Sequence, residues 1–128
     1  MEITHNFVGW FEIPVTDMDR AIRFYEKVFD IKMTRQQMGP LDMAFFPGVE
    51  NSIGASGSLV YQPGNYKPSG DGVLIYFTSF AGDVNVEISR VKDAGGKVMI
   101  KKTQISPEIG YMAVLADSEG NRIALHAR

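Results

Sequence analysis

The chain has 128 residues, 45% hydrophobic and 22% charged, with a formal net charge of -2 and no cysteine. This is the size and composition of one compact globular domain. The lack of a basic excess removes electrostatic support for nucleic-acid binding, and the lack of cysteine excludes a disulfide scaffold, thiolate metal sites and cysteine nucleophiles.

The opening MEITHNFVGW has neither the basic nor the apolar region of a signal peptide. No apolar run approaches the ~20 residues needed to cross a bilayer. The expected location is the cytoplasm, with no membrane partner. Residues 7–15, FVGWFEIPV, alternate as a strand does. Phe11, Ile13 and Val15 share one face; Val8, Trp10 and Glu12 share the other. Thr16 and Asp17 are both able to cap a following helix. In that helix Met18, Ala21, Ile22, Tyr25, Val28 and Phe29 form an apolar stripe at helical spacing.

Short strands are expected near 31–37, 42–46 and 57–62, separated by turns containing Gly and Pro. Residues 63–71 read as a linker near the midpoint. The order then repeats. Val73–Phe77 reads as a strand, and Asp83 precedes a helix with Val84, Val86, Ile88 and Val91 in its apolar set. Ala94-Gly95-Gly96 terminates that helix. Strands follow near 97–101, 111–116 and 121–126. The last two are joined by a hairpin turn at Asp117-Ser118-Glu119-Gly120-Asn121.

An offset of 66 residues aligns the two strand–helix units, placing Asp17 on Asp83 and Trp10 on Tyr76. Each half reads β-α-β-β-β. One such unit has too little core to stand alone comfortably. Two together are expected to bury a common core, with concave sheet faces around a shared cavity. The fold class is α+β, a single domain over 1–128, with module 1 at about 5–62 and module 2 at about 72–127.

On IPVTDMDRAIRFYEKVFDI, VKDAGGKV and DSEGNRIALH, together with the repeated element order, the chain resembles the vicinal oxygen chelate superfamily. That superfamily includes glyoxalase I, extradiol dioxygenases and bleomycin-resistance proteins. In its metal-dependent members the resemblance implies four inward-pointing ligands, one on the first and one on the last strand of each half. Those positions match Trp10, Ser58, Tyr76 and Ala124, with Ser58 placed to within about a residue. Trp donates only N–H, Ala has no donor atom, and Ser and neutral Tyr are poor metal ligands. No cofactor is therefore expected, and a divalent metal enters only as an alternative.

Glu12 stands two residues after Trp10, and His126 two after Ala124, each on the same strand face as its neighbour. They are the expected acid/base pair, and the fallback ligands if a displaced metal site exists. Trp10, Tyr76, Ser58, Ala124, Phe80 and Tyr61 are the expected pocket lining, with the rings offering stacking to a planar ligand. Arg35, Lys101 and Lys102 are candidates for meeting an anionic substrate. The expected function is binding of a small organic molecule, with acid/base chemistry if the chain is an enzyme. The alternatives are non-catalytic sequestration of the bleomycin-resistance type and a metal-dependent lyase or dioxygenase with shifted ligands. The resemblance also implies a homodimer.

Overall fold

The computed structural model describes residues 1–128. Module 1 comprises β1 (Phe11–Pro14), α1 (Met18–Phe29), β2 (Thr34–Met38), β3 (Leu41–Phe45) and β4 (Gly57–Tyr61). Module 2 comprises β5 (Ile75–Thr78), α2 (Val84–Val91), β6 (Lys97–Ser106), β7 (Gly110–Ala116) and β8 (Arg122–Ala127). The expected β-α-β-β-β order is present twice. Both helices start on an extended aspartate. The Asp17 carboxylate accepts from the Arg20 N–H and the Asp83 carboxylate from the Asn85 N–H, satisfying amides that would otherwise lack partners at the first turn. No helix is long and apolar enough to cross a membrane.

Each module forms one four-stranded mixed sheet, ordered β1-β4-β3-β2 and β5-β8-β7-β6. The first strand of each module runs parallel to the last, and the remaining pairs are antiparallel. The register assigns the faces. Phe11, Ile13 and Leu59 of sheet 1, and Phe77, Leu115, Ile123 and Leu125 of sheet 2, point to the helix side and meet in one core.

That core is continuous between the modules. It joins α1 residues Ala21, Phe24, Tyr25 and Val28 to α2 residues Val84 and Val91 and to both sheets. Phe77 packs against Phe11, Phe29 and Phe46 at centroid separations of 5.7, 5.0 and 5.5 Å. A Cβ at position 96 would stand 2.4 Å from the Phe24 ring and 2.6 Å from the Ala116 carbonyl oxygen. Glycine is required there by space. The element-to-element contact between modules is α1 on α2; no strand of one sheet lies beside a strand of the other.

The halves therefore share a core and pack helix side to helix side. The sheet faces expected to enclose a common cavity within one chain look away from that core instead. The physical reason is the order of burial. The helix-side residues are the larger apolar set, and pairing both helix sides removes more apolar surface from water than closing the half-exposed outer faces on one another.

A polar clasp fastens the modules at one end. The Glu119 side chain, fully sheltered from solvent, accepts from the backbone N–H groups of Thr16 and Asp17 at 2.9 Å each. It also accepts from Arg20 Nε at 2.7 Å and from Ser118 Oγ at 2.9 Å. Burial alone would raise its pKa, but the Arg20 hydrogen bond, the two backbone donors and Ser118 outweigh that and hold it down at about 2. Deeper in, Tyr25 Oη donates to Asp117 Oδ2 at 2.6 Å, and Asn121 Nδ2 donates to the Pro14 carbonyl at 2.8 Å. Burial first, then the Asp117 charge, pushes the Tyr25 phenol well above its ordinary range. Tyr25→Phe is expected to lose about 1–3 kcal/mol, because Asp117 keeps its other donors but loses its shortest. Urea denaturation measures this, and an unchanged midpoint would show the bond to be dispensable.

The segment expected as a linker, 63–71, is tied down at two points. Tyr66 Oη donates to Glu12 Oε1 at 2.6 Å, and the Ser69 N–H donates to Asn121 Oδ1 at 3.1 Å.

Candidate functional site

The outward face of sheet 1 is set by register. Glu12 is the Cα partner of Ser58, and Ser58 of Phe45. Pro14 pairs Val60 and Met43 pairs Val60, so Glu12, Pro14, Ser58, Val60, Met43 and Phe45 share this side. Trp10, just before β1, lies over Phe45 at a centroid separation of 6.0 Å and 54°. Trp10 is 45% exposed. Ser58 is fully buried, and its Oγ has no hydrogen-bond partner. Glycine precedes it because a Cβ at position 57 would stand 2.3 Å from the Phe11 carbonyl oxygen. That close approach of β1 to β4 brings Glu12 and Ser58 side by side.

On sheet 2, Tyr76 is partnered by Ala124, and Thr78 by His126. Met112 and Val114 complete this face through His126 and Ala124. Tyr76 is 51% exposed. His126 Nε2 lies 2.6 Å from the Ile109 carbonyl, which holds the ring against the β6–β7 hairpin end.

The register revises the internal repeat. The helix caps Asp17 and Asp83 keep the 66-residue offset, and so do Ser58 and Ala124. The first strands, however, match at 64, Phe11–Pro14 with Ile75–Thr78. The connection from β5 to α2 contains an extra turn at Ser79–Gly82, closed by the Gly82 N–H donating to the Ser79 carbonyl at 3.2 Å. Glu12, rather than Trp10, is thus the structural counterpart of Tyr76. Trp10 stands one strand step further out on the same face.

Several expected site residues do not converge. Within one chain Glu12 and His126 occupy different outward faces, and each has its own partner, Tyr66 and the Ile109 carbonyl. Tyr61 pairs with Asp42, on the side opposite Ser58, and lines a shallow depression with Thr16, Asp17 and Arg35. Phe80 sits in the extra turn and is 90% exposed. Arg35 is bound by Asp19 and Asp42. Lys102 is bound by Asp83 and lies over the Tyr111 ring. Neither cation is free for an anionic substrate.

The donor set at the family's metal level, whether drawn with Trp10 or with Glu12, contains at most one carboxylate. The other positions, Ser58, Tyr76 and Ala124, supply a hydroxyl, a phenol and no donor. These residues do not fit a divalent ion. No group of three or more His, Asp or Glu side chains is placed to hold a metal ion elsewhere in the fold. The residue that sequence reasoning passed over is Tyr66. Its only signal was an aromatic ring inside an otherwise polar linker.

Comparison with known proteins agrees with this architecture. A family model described as the glyoxalase/bleomycin resistance protein/dioxygenase superfamily matches residues 7–125. Among solved structures, a glyoxylase/bleomycin resistance protein/dioxygenase domain from a Frankia species superimposes with a TM-score of 0.72 at 20% identity, covering 97% of this chain and 98% of that one. An antibiotic binding protein from a Streptomyces species gives 0.61 at 22%, covering 99% and 98%. A point mutant of glyoxalase I from Zea mays gives 0.68 at 19%. This chain is covered to 93% in that match but spans only 46% of the maize protein. At these identities the likeness shows the fold alone. Among curated proteins no sequence matches. With the family model spanning nearly the whole chain and the two βαβββ modules in place, the protein belongs to the glyoxalase/bleomycin resistance protein/dioxygenase superfamily.

Proposed function

We propose that this chain binds a small organic molecule on its outward sheet faces, without a four-ligand metal centre and without turnover. The observation that carries this reading is the placement of Trp10 and Tyr76, two large rings about half exposed on faces turned away from the core. They stand at or beside positions where metal-dependent relatives would place ligands. Rings in this setting gain contact area and shed water when a planar molecule lies on them. Acid/base chemistry is less well supported, because Glu12 and His126 are separately engaged in one chain.

A half-site on each face suits a homodimer in which sheet 1 of one copy closes over sheet 2 of the other. Such a pairing would also cover Ile100 and the other exposed apolar side chains of these faces. The setting we propose is the cytoplasm.

The test combines three measurements on protein purified without chelator. Elemental analysis is expected to find zinc, iron, manganese and nickel far below one ion per chain. Light scattering is expected to give the mass of two chains. A screen of planar organic molecules, followed through the emission of Trp10, the only tryptophan, is expected to give saturable binding with no product. Stoichiometric metal, or turnover abolished by chelator, would replace this reading with the metal-dependent one.

A further inference from the structure

The reading above leaves the ligand's chemistry open, and the face of sheet 1 narrows it. Ser58 Oγ is a buried hydroxyl without a partner. A buried polar group left unpaired costs about 1–3 kcal/mol, so in a folded chain it calls for a partner from outside. Beside it, Glu12 uses one carboxylate oxygen to accept from Tyr66 at 2.6 Å; no donor in the chain meets the other. The Glu12 side is only partly covered. Next to this polar pair stands the tilted Trp10–Phe45 pair.

Among the strand residues on this face, Glu12 is the one charged group. Glu12 pairs with Ser58, and from there the register carries the face through Phe45 to Thr34 and through Val60 and Met43 to Gln36, all uncharged. Arg35 and Asp42 turn to the other side and satisfy one another. An anion placed here would meet a carboxylate, whereas an O–H or N–H donor would meet two acceptors. One is the open oxygen of Glu12. The other is the Ser58 hydroxyl, which can accept from an amine or donate back to a phenol oxygen.

We propose that this face recognises a planar aromatic molecule bearing a hydrogen-bond donor, an amine or a phenolic hydroxyl. The ring rests on Trp10 and Phe45, and the donor is held by Glu12 and Ser58. Tyr66 Oη marks where a donor sits on this carboxylate. The inference rests on the small-molecule reading and adds the class of ligand.

Four naphthalene probes of one ring size separate the alternatives: naphthylmethylamine, naphthol, methoxynaphthalene and naphthoate. Binding is read by Trp10 emission and by calorimetry. The amine and the phenol are expected to bind at least about tenfold tighter than methoxynaphthalene, with naphthoate weakest. Glu12→Gln should weaken the amine by about tenfold or more and leave methoxynaphthalene unchanged. Tyr66→Phe keeps the ring and frees the second carboxylate oxygen, so it should bind the donors at least as tightly as the parent. Both substitutions lie on a partly solvated face, and a thermal melt confirms that each variant is folded. Equal affinity for all four probes, or an amine indifferent to Glu12→Gln, would overturn the donor class while leaving small-molecule binding intact. If no probe binds at millimolar concentration, both readings fall together.

Discussion

Replacing Phe24 by alanine is expected to remove about 3–5 kcal/mol of folding stability. Phe24 is fully buried, stands edge-on to Tyr25 at 5.0 Å, and reaches across from α1 to Gly96 of the other module. Truncation would leave a hole between two rigid sheets whose edges are fixed elsewhere by the Glu119 clasp, so little of it would collapse. A domain of this size has about 5–15 kcal/mol in total, and the variant would be near its limit at ambient temperature. Trp10→Ala supplies the contrast. Trp10 is larger but half exposed on the outward face, and its loss is expected to stay within about 1 kcal/mol. Denaturant unfolding of the two variants decides the matter. If Trp10→Ala cost as much as Phe24→Ala, the assignment of inner and outer faces would be wrong.

The second large effect concerns acid. Glu119 is held at a pKa of about 2 in the folded chain, against about 4.3 for an unfolded glutamate. A depressed folded pKa means that the unfolded chain takes up the proton first as pH falls. The stabilisation is therefore complete above the unfolded value and drains away between about pH 5 and pH 2. Arg20 is 45% exposed, so solvent screens part of its contribution. The backbone donors of Thr16 and Asp17 lie at the start of α1, where the helix dipole adds to the preference for a negative charge. Glu119→Gln is expected to cost about 2–3 kcal/mol at pH 7. The gap between parent and variant should then narrow steadily as the buffer is acidified to pH 3. A gap independent of pH would show that the clasp works through shape and not through charge.

Much of the fold was legible because periodicity reports which residues share a face. Met18, Ala21, Tyr25 and Val28 announce a helix stripe, and Phe11, Ile13 and Val15 announce the strand side beneath it. Aspartates at 17 and 83 mark both helix starts. Periodicity does not report which face of one module meets which face of the other. That choice depends on the summed burial of side chains more than 50 residues apart, such as Phe11 with Phe77. The repeat offset misled for a related reason. Ser79–Gly82 adds a turn between β5 and α2; at low internal identity the helix caps and helix stripes fix the alignment, and carried back across that turn their offset puts Trp10 opposite Tyr76 in place of Glu12. Of the site, Glu12 and Trp10 were visible from strand parity, and Ser58 from the family resemblance alone. Tyr66 was not, since its bond to Glu12 closes a loop of 54 residues through a segment that composition marks only as linker. Tyr61 does not line the pocket because its register to Asp42 puts it on the side opposite Ser58.

The clasp also bears on how the chain comes to be folded. Thr16 and Glu119 are 103 residues apart, and Tyr25 finds its acceptor 92 residues away. Contacts of this span raise the contact order and slow the search. On a ribosome adding residues from the amino terminus, module 1 would emerge with one side of its helix stripe uncovered, and would stay so until β5 and α2 arrived with Phe77, Val84 and Val91, its Tyr25 hydroxyl waiting longer still for Asp117. The first half is thus a nascent chain with an exposed aromatic surface until the first strand and helix of the second half arrive, a stage at which chaperone capture competes with folding.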